Sequence, residues 1–134
     1  MTMRCWIIAM GCALPLAASG TDAAVALALA WQALHDAARG DCRSDAECRT
    51  LGVGAMACGG PQQYLPWSAA ATHEPTLQAA ARRYASARRK QIERTGESSV
   101  CVVLEDPGAA CQPADETTAG KCVLRPPRAE GLLR

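Results

Sequence analysis

The chain has 134 residues, a formal net charge of +1 and no phenylalanine. That length suits one domain, and a nearly neutral chain is not built for bulk electrostatic attraction to nucleic acid. Hydrophobic residues make up 49% of the chain, but many of them are alanines, which bury little area. We therefore expect a thin core that needs covalent support.

The first 20 residues have the order of a secretory signal peptide. Residues 1–4 carry one positive charge, residues 5–18 (CWIIAMGCALPLAA) are apolar, and residues 17–20 are small. The apolar run is shorter than the ~20 residues that a membrane-spanning helix needs. We predict a signal peptide over 1–20, no transmembrane segment in the mature chain, and a periplasmic or secreted protein.

Three alternatives affect this N-terminal prediction. The apolar run could instead be a buried helix of the folded domain. Gly11-Cys12 resembles the end of a lipobox, although Ala9 stands where leucine is usual and the apolar run continues past Cys12. Ala28-Leu29-Ala30 is a second small-x-small site, so cleavage could fall later in the chain. Lipoprotein attachment and a later cleavage site thus stay open beside the favoured signal peptide.

The predicted export indicates that the cysteines form disulfides. An even number of cysteines in a short exported chain predicts a disulfide framework, and each bridge contributes about 2–4 kcal/mol. Fifteen pairings are open to six cysteines; Cys111–Cys122 is favoured because it would staple the 111–120 loop to the final strand. The six cysteines left after the signal are Cys42, Cys48, Cys58, Cys101, Cys111 and Cys122.

Zinc is the competing use of the cysteines. The sequence has no Cys-x2-Cys pair, and His35 and His73 are too far apart to give a ligand spacing. We predict neither a metal site nor a cofactor.

A leading helix is predicted over residues 21–40, capped by Thr21-Asp22 and stopped by Gly40. Leu27, Trp31 and Leu34 form one narrow apolar face. The helix could pack on the domain, or it could tether the cysteine-rich part.

A cysteine-rich α+β domain is predicted over residues 41–126. Its long helix is predicted to start at His73-Glu74-Pro75 and to end at Gly96. Proline is favoured in the first turn of a helix, and glycine is favoured at its C-terminal end. We expect it to pack on a short antiparallel sheet in a small disulfide-stabilised α+β domain. The other predicted segments are a weak strand over 48–54, an irregular stretch over 57–68, strands over 99–105 (SVCVVLE) and 121–125, a polar loop over 111–120, and a mobile tail over 127–134.

The stretch ACGGPQQYLPWS (57–68) is the first candidate site. Gly59 and Gly60 give backbone freedom, Pro61 fixes φ, and a bridge at Cys58 would pin the loop. Tyr64 and Trp67 lie in the densest cluster of large side chains after the signal. They are either core residues, with their polar tips bonded at the edge, or a rigid contact surface for a partner protein.

The long helix is the second candidate site. Its basic face consists of Arg82, Arg83, Arg89, Lys90 and Arg94. It could meet an anionic envelope surface or an acidic partner, and the alternative is a solvated helix face. Arg88 falls in the apolar stripe instead, where it must either extend its charge to the core edge or pair with a carboxylate such as Asp45 or Glu47.

The cysteine spacing resembles that of a loose group of small exported bacterial proteins. The matching elements are Ser44-Asp45-Ala46-Glu47-Cys48, residues 58–68 with their Cys-Gly-Gly-Pro start, Cys101, Cys111 and Gly120-Lys121-Cys122. The resemblance covers about residues 41–125. It implies export and a disulfide-bonded fold, and it carries over no catalytic residue.

These patterns favour an exported, non-enzymatic binding module. The sequence has no nucleophile motif of the hydrolase type and no phosphate-binding loop. An inhibitor of a protease or other hydrolase is the first alternative, because such inhibitors present a disulfide-pinned loop. A thiol enzyme using Cys58 with His35 or His73 is the second, and it would leave one cysteine without a partner. The ligand and the oligomeric state are not specified by the sequence.

Overall fold

A computed structural model of the protein describes residues 19–114 and 119–126. The predicted mobile tail (127–134) and residues 1–18 of the predicted signal peptide lie outside the described residues. The fold is the predicted small α+β domain with three disulfides. Its elements are α1 (Ser19–Ala37), β1 (Asp41–Cys42), a 3₁₀ turn (Asp45–Glu47), β2 (Cys48–Val53), β3 (Gln63–Ser68), α2 (Glu74–Thr95), β4 (Ala109–Gln112) and β5 (Gly120–Leu124).

Helix α2 begins and ends as predicted. His73 caps it, Pro75 lies in its first turn, and Gly96 closes it with a left-handed φ of 63°. Such a φ suits glycine, which has no Cβ to clash with the last turn.

Helix α1 packs against α2 and belongs to the domain. Leu34 is fully buried in the main core beside Leu77, and the ring centroids of Trp31 and Tyr84 are 5.0 Å apart. The leading helix is therefore part of the fold and not a tether. Neither described helix is long and apolar enough to cross a bilayer.

Two small antiparallel sheets complete the domain. One has the strand order β1-β5-β4, and the other is the β2–β3 hairpin. Val53 and Trp67 of the hairpin enter the main core with α1 and α2. A second buried cluster, made mostly of cysteines, lies on the three-stranded sheet.

The favoured Cys111–Cys122 bridge is wrong. These two residues do stand opposite each other in β4 and β5, but the bridges are Cys42–Cys111 and Cys48–Cys122. The Cα–Cα distances are 5.9 and 5.5 Å, which suit disulfides. The observed bridges join β1 to β4 across β5 and join the β2–β3 hairpin to β5, whereas a Cys111–Cys122 bridge would only join strands that are already hydrogen-bonded.

Residues 63–68 form a regular strand, although the two prolines predicted an irregular stretch over 57–68. Pro66 stands opposite Thr50 in the β2–β3 pair. In a two-stranded ladder every second residue turns its N–H away from the partner, so a residue without an N–H is tolerated there. The irregular part is the β2–β3 connection, residues 54–62.

The strand predicted over residues 99–105 is also absent. This stretch pairs with no strand in the described part of the chain. Strand β4 begins four residues later, at Ala109, and its last two residues are the first two of the predicted 111–120 loop. A strand needs a hydrogen-bonding partner as well as strand-prone side chains. The valines of this stretch instead face solvent.

Candidate functional site

The Cys58–Cys101 disulfide joins two irregular segments at one end of the domain. Cys58 lies in the β2–β3 connection (54–62), and Cys101 lies in the segment between α2 and β4, residues 97–108. Both cysteines are exposed. The bridge therefore holds two surface segments together, in contrast to the buried cysteines of the sheet.

The 54–62 connection folds into a tight turn at its glycines. The Gly59 N–H donates to the Met56 carbonyl at 3.0 Å, and the Met56 N–H donates to the Gly60 carbonyl at 3.2 Å. Gly59 and Gly60 have φ values of 93° and 82°, in the region that favours glycine. The predicted backbone freedom of these two residues is used in this turn.

The 97–108 segment is held along its whole length. Its start is held by the ion pair between Glu97 and Arg88, and its middle by the Cys58–Cys101 bridge. The Tyr64 hydroxyl donates to the Leu104 carbonyl at 3.2 Å, and the Thr50 hydroxyl donates to Asp106 at 2.6 Å. A segment without regular structure is thereby fixed in one place by side-chain contacts from α2, β2 and β3.

The two segments border an open hollow of about 280 Å³. Beside it, Val100, Val102 and Val103 expose 82%, 56% and 91% of their surface. We call these three valines with Leu104 the valine surface. The hollow is lined by Met56, Cys58, Gly59, Gly60, Pro61, Cys101, Val102, Val103 and Leu104.

The predicted contact loop supplies only part of the lining of this hollow. Gly59, Gly60 and Pro61 of the predicted contact loop do line it, but the large exposed apolar side chains come from 100–104. The sequence predicts a strand over these residues, and the side chains of such a strand would be half buried. The available signal was the absence of alternation, since Val102, Val103 and Leu104 are consecutive apolar residues.

Trp67 is a core residue. It is 5% exposed, and its Nε1 has no hydrogen-bond partner among the described residues. Tyr64 is half buried and uses its hydroxyl to hold Leu104. The side chains of the predicted contact loop thus stabilise the fold and position the neighbouring segment.

Arg88 lies in the apolar stripe of α2 as predicted, but neither Asp45 nor Glu47 is its partner. Its side chain is 12% exposed and forms an ion pair with Glu97, which lies two residues after the end of α2. It also donates to the Gln62 side chain at 3.3 Å and to the Gln91 side chain at 2.6 Å. One guanidinium therefore connects α2, the 54–62 connection and the 97–108 segment.

This ion pair shifts the titration of both groups. The hydrogen bond from Arg88 lowers the pKa of Glu97, and the hydrogen bond to Glu97 raises the pKa of Arg88. A second ion pair, which is exposed, joins β1 to β5. In this pair the hydrogen bond from Lys121 lowers the pKa of Asp41. The Asp45 carboxylate lies 3.8 Å from the Arg125 guanidinium and accepts a hydrogen bond from the Cys111 N–H. These contacts hold the 3₁₀ turn (Asp45–Glu47) against β4 and the residue that follows β5.

The predicted basic face of α2 is exposed. Along one side of it, α1 and α2 border a groove of about 250 Å³. The groove is lined by Ala23, Ala26, Arg83, Ser86, Ala87, Lys90 and Arg94, whereas Arg82 and Arg89 do not line it. The five predicted cations therefore divide into a groove set and an outward pair. All five are exposed: Arg82, Arg83, Arg89, Lys90 and Arg94.

The six cysteines form three disulfides, as the sequence predicts. The Sγ atoms of Cys42, Cys48 and Cys111 lie within 4.8 Å of one another, but each is bonded to another sulfur and offers no thiolate to a metal. Disulfides persist in oxidising compartments, so the bridges indicate a protein that works outside the reducing cytoplasm.

The residues named for a thiol enzyme serve other contacts. Cys58 is bonded to Cys101 and is not a free thiol. His35 stacks edge-on against Trp31 with ring centroids 4.1 Å apart, and the His73 Nδ1 shares a 2.8 Å hydrogen bond with the Thr76 hydroxyl at the start of α2.

Comparison of the chain with protein-family models, with curated proteins and with solved structures found no match.

Proposed function

We propose that the protein is an exported, non-enzymatic module that binds an extended apolar segment of another protein at the valine surface. The observation that carries this proposal is the exposure of Val100, Val102 and Val103 on a segment that is fixed on both sides. Single exposed apolar residues are ordinary, but a contiguous apolar patch on a held segment is typical of an interaction site.

The fixed position of the segment supports binding because it removes an entropic cost. A flexible loop loses conformational freedom when it binds, at about 0.5–1.5 kcal/mol for each immobilised side chain. Here the Glu97, Cys101 and Leu104 contacts have already restricted the segment. The binding free energy of the valines is thus available for affinity.

The backbone of the segment supports an extended partner. Residues 99–105 are strand-prone and pair with no strand in the described ranges. The Val102 N–H donates to the Val100 carbonyl at 2.9 Å and the Leu104 carbonyl accepts from Tyr64, so the ladder with an incoming chain would use the other peptide groups of this segment. In strand addition, main-chain hydrogen bonds supply affinity and pockets for alternate side chains supply specificity. The 280 Å³ hollow beside Val102 and Val103 offers such a pocket.

The proposed location is the periplasm or the extracellular space. The signal-like order of residues 1–20 and the three disulfides support it. Mass spectrometry of protein purified from its native envelope gives the mature N-terminus and any attached lipid, and it separates cleavage near residue 20 from lipid attachment at Cys12.

Selection of displayed random peptides on the immobilised protein tests the proposed binding. We expect enriched peptides that are rich in β-branched and aromatic residues and that bind with micromolar dissociation constants in fluorescence anisotropy. A Val100→Asp/Val103→Asp variant should lose this binding, because two carboxylates would be placed against an apolar partner. Both positions are exposed, so the variant should keep its circular dichroism spectrum.

The matched control is Val25→Asp/Leu29→Asp, which places the same two charges on exposed apolar positions of α1. It should bind the selected peptides as the wild type does. Failure to enrich any peptide, or equal binding by both variants, would refute the proposal. If the wild type dimerises in sedimentation and only the Val100→Asp/Val103→Asp variant is monomeric, the bound segment belongs to a second copy of this chain.

A protease inhibitor is the second candidate function. The observation that favours it is Val103, which is 91% exposed two residues after a disulfide-bonded cysteine. A protruding valine on a held segment has the chemistry that a protease with a small apolar specificity pocket recognises. Inhibition of an elastase-type protease at micromolar protein, lost on Val103→Asp, would support this function; no inhibition across a panel of serine and cysteine proteases would discard it.

A further inference from the structure

The groove between α1 and α2 carries a second surface, on different residues from the valine surface. The two helices run in opposite directions, since Trp31 meets Tyr84 while Ala23 and Ala26 line the groove with Lys90 and Arg94. Small side chains from both helices form its floor, and long cationic side chains rise from one of its sides.

The three cations of the groove form a line. At 100° per residue, Arg83, Lys90 and Arg94 fall within about 40° of one another on α2. They extend over about 16 Å at 1.5 Å per residue. All three are exposed, and none of them forms an ion pair within the described part of the chain.

Exposed apolar side chains continue this surface on α1. Val25 and Leu29 expose 56% and 59% of their surface. Leu29 is three residues from the groove residue Ala26 and four residues from Val25, and residues at these spacings are neighbours on a helix surface. The line of cations, the small-residue floor and the two apolar side chains are therefore contiguous.

Two carboxylates also belong to this side of the domain. Asp22 precedes Val25 by three residues on α1, and Glu93 lies on the solvent side of α2 between the groove cations and the outward pair, Arg82 and Arg89. They reduce the positive charge of the surface without reversing it, since the three exposed groove cations face these two acids.

We infer that this surface docks the protein on an anionic lipid bilayer, with Arg83, Lys90 and Arg94 at the phosphate level and Leu29 and Val25 in the interface. A surface that combines cations with exposed apolar side chains matches the two parts of a bilayer interface, whereas a soluble phosphate needs only the cations. The inference is independent of the peptide-binding proposal, because the two surfaces share no residue.

Vesicle sedimentation tests this docking with the mature protein. We expect binding to phosphatidylcholine vesicles that contain phosphatidylglycerol, and no binding to phosphatidylcholine alone. Lys90→Gln/Arg94→Gln should weaken binding about 30-fold, since each cation near an anionic surface contributes about fivefold. Leu29→Ser should also weaken it, at unchanged charge. Binding should fall as salt screens the cations.

The matched control is Arg82→Gln/Arg89→Gln, which removes two cations from the same helix outside the groove. It should change the affinity by less than about threefold, because those side chains point away from the surface. Equal losses for the two double variants would overturn the inference in favour of net charge alone. It would also fail if the wild type ignored anionic vesicles, or if Leu29→Ser bound them normally.

Inorganic phosphate separates the bilayer from a free anion. Millimolar phosphate at constant ionic strength should not displace the protein from the vesicles. Displacement would show that the groove is a site for the free ion and would overturn bilayer docking. Circular dichroism and thermal melting check that each variant is folded, and the Val100→Asp/Val103→Asp variant should bind vesicles normally.

Discussion

Arg88 and Glu97 form an ion pair that fixes the start of the 97–108 segment to the C-terminal half of α2. The guanidinium is nearly buried and also serves Gln62 and Gln91. Replacing Arg88 by Met keeps an unbranched apolar stem but leaves three acceptors without their donor. We expect a lower urea midpoint and faster hydrogen exchange over 97–105.

Glu97→Gln should have a smaller effect than Arg88→Met, because the contacts of Arg88 with Gln62 and Gln91 remain. Arg89→Met is the matched control, since it changes the next residue, which is exposed. An unchanged midpoint for Arg88→Met would show that the three contacts do not stabilise the fold.

The same pair predicts a pH dependence. Because Arg88 lowers the pKa of Glu97, the pair stabilises the folded state fully above the ordinary glutamate pKa of about 4.3. This stabilisation is lost as the pH falls through the lowered folded-state pKa.

The measurement is the difference in urea midpoint between wild type and Glu97→Gln, because Asp41 also has a lowered pKa and affects both proteins equally. The difference should be present at neutral pH and disappear well below pH 4. A difference that persisted when the carboxylate is protonated would assign the effect to something other than charge.

Substitutions at Tyr64 and Trp67 should lower the free energy of unfolding by different amounts, because Trp67 is a core residue and Tyr64 positions the 97–108 segment. Trp67→Ala removes a buried indole, so we expect a loss of about 3–5 kcal/mol in the free energy of unfolding. Tyr64→Phe removes only the hydrogen bond to the Leu104 carbonyl, so the loss should be about 0.5–1.5 kcal/mol.

Tyr64→Phe should nevertheless weaken the binding of selected peptides, because Leu104 loses a contact that holds the valine surface. Denaturant titration and peptide anisotropy on the two variants provide the comparison. A Tyr64→Phe variant with unchanged affinity would remove Tyr64 from the account of the surface.

The three disulfides should differ in their accessibility to reductant. Cys58 and Cys101 are exposed, whereas Cys42, Cys48 and Cys122 are buried. Mild thiol treatment followed by pulsed alkylation and peptide mapping should therefore find Cys58 and Cys101 labelled first. Labelling of the Cys48–Cys122 bridge at an equal rate would contradict the arrangement of the cysteine cluster.

Local signals in the sequence predict much of this fold. Pro75 and Gly96 mark the ends of α2, and the six cysteines that follow the predicted signal peptide predict three bridges. The pairing itself depends on which strands are neighbours, and β1 contributes only two residues to the sheet. So short a strand gives no pattern from which its place beside β5 could be read.

The candidate site was less predictable because it depends on contacts between distant residues. SVCVVLE has the composition of a strand, and only the position of Cys58 and Tyr64 shows that it is held as a single exposed segment. Arg88 is the intermediate case. Its misfit in the apolar stripe was visible in the sequence, whereas its partner Glu97 follows from the fold.

Hydrogen exchange in the presence of a selected peptide tests the central claim most directly. Amide exchange over residues 99–105 is measured with and without saturating peptide, and the Val100→Asp/Val103→Asp variant serves as the control. If an extended partner pairs with this segment, its amides should slow at least tenfold in the wild type and not in the variant. Protection confined to α1 and α2, with residues 99–105 unchanged, would contradict the valine surface as the binding site.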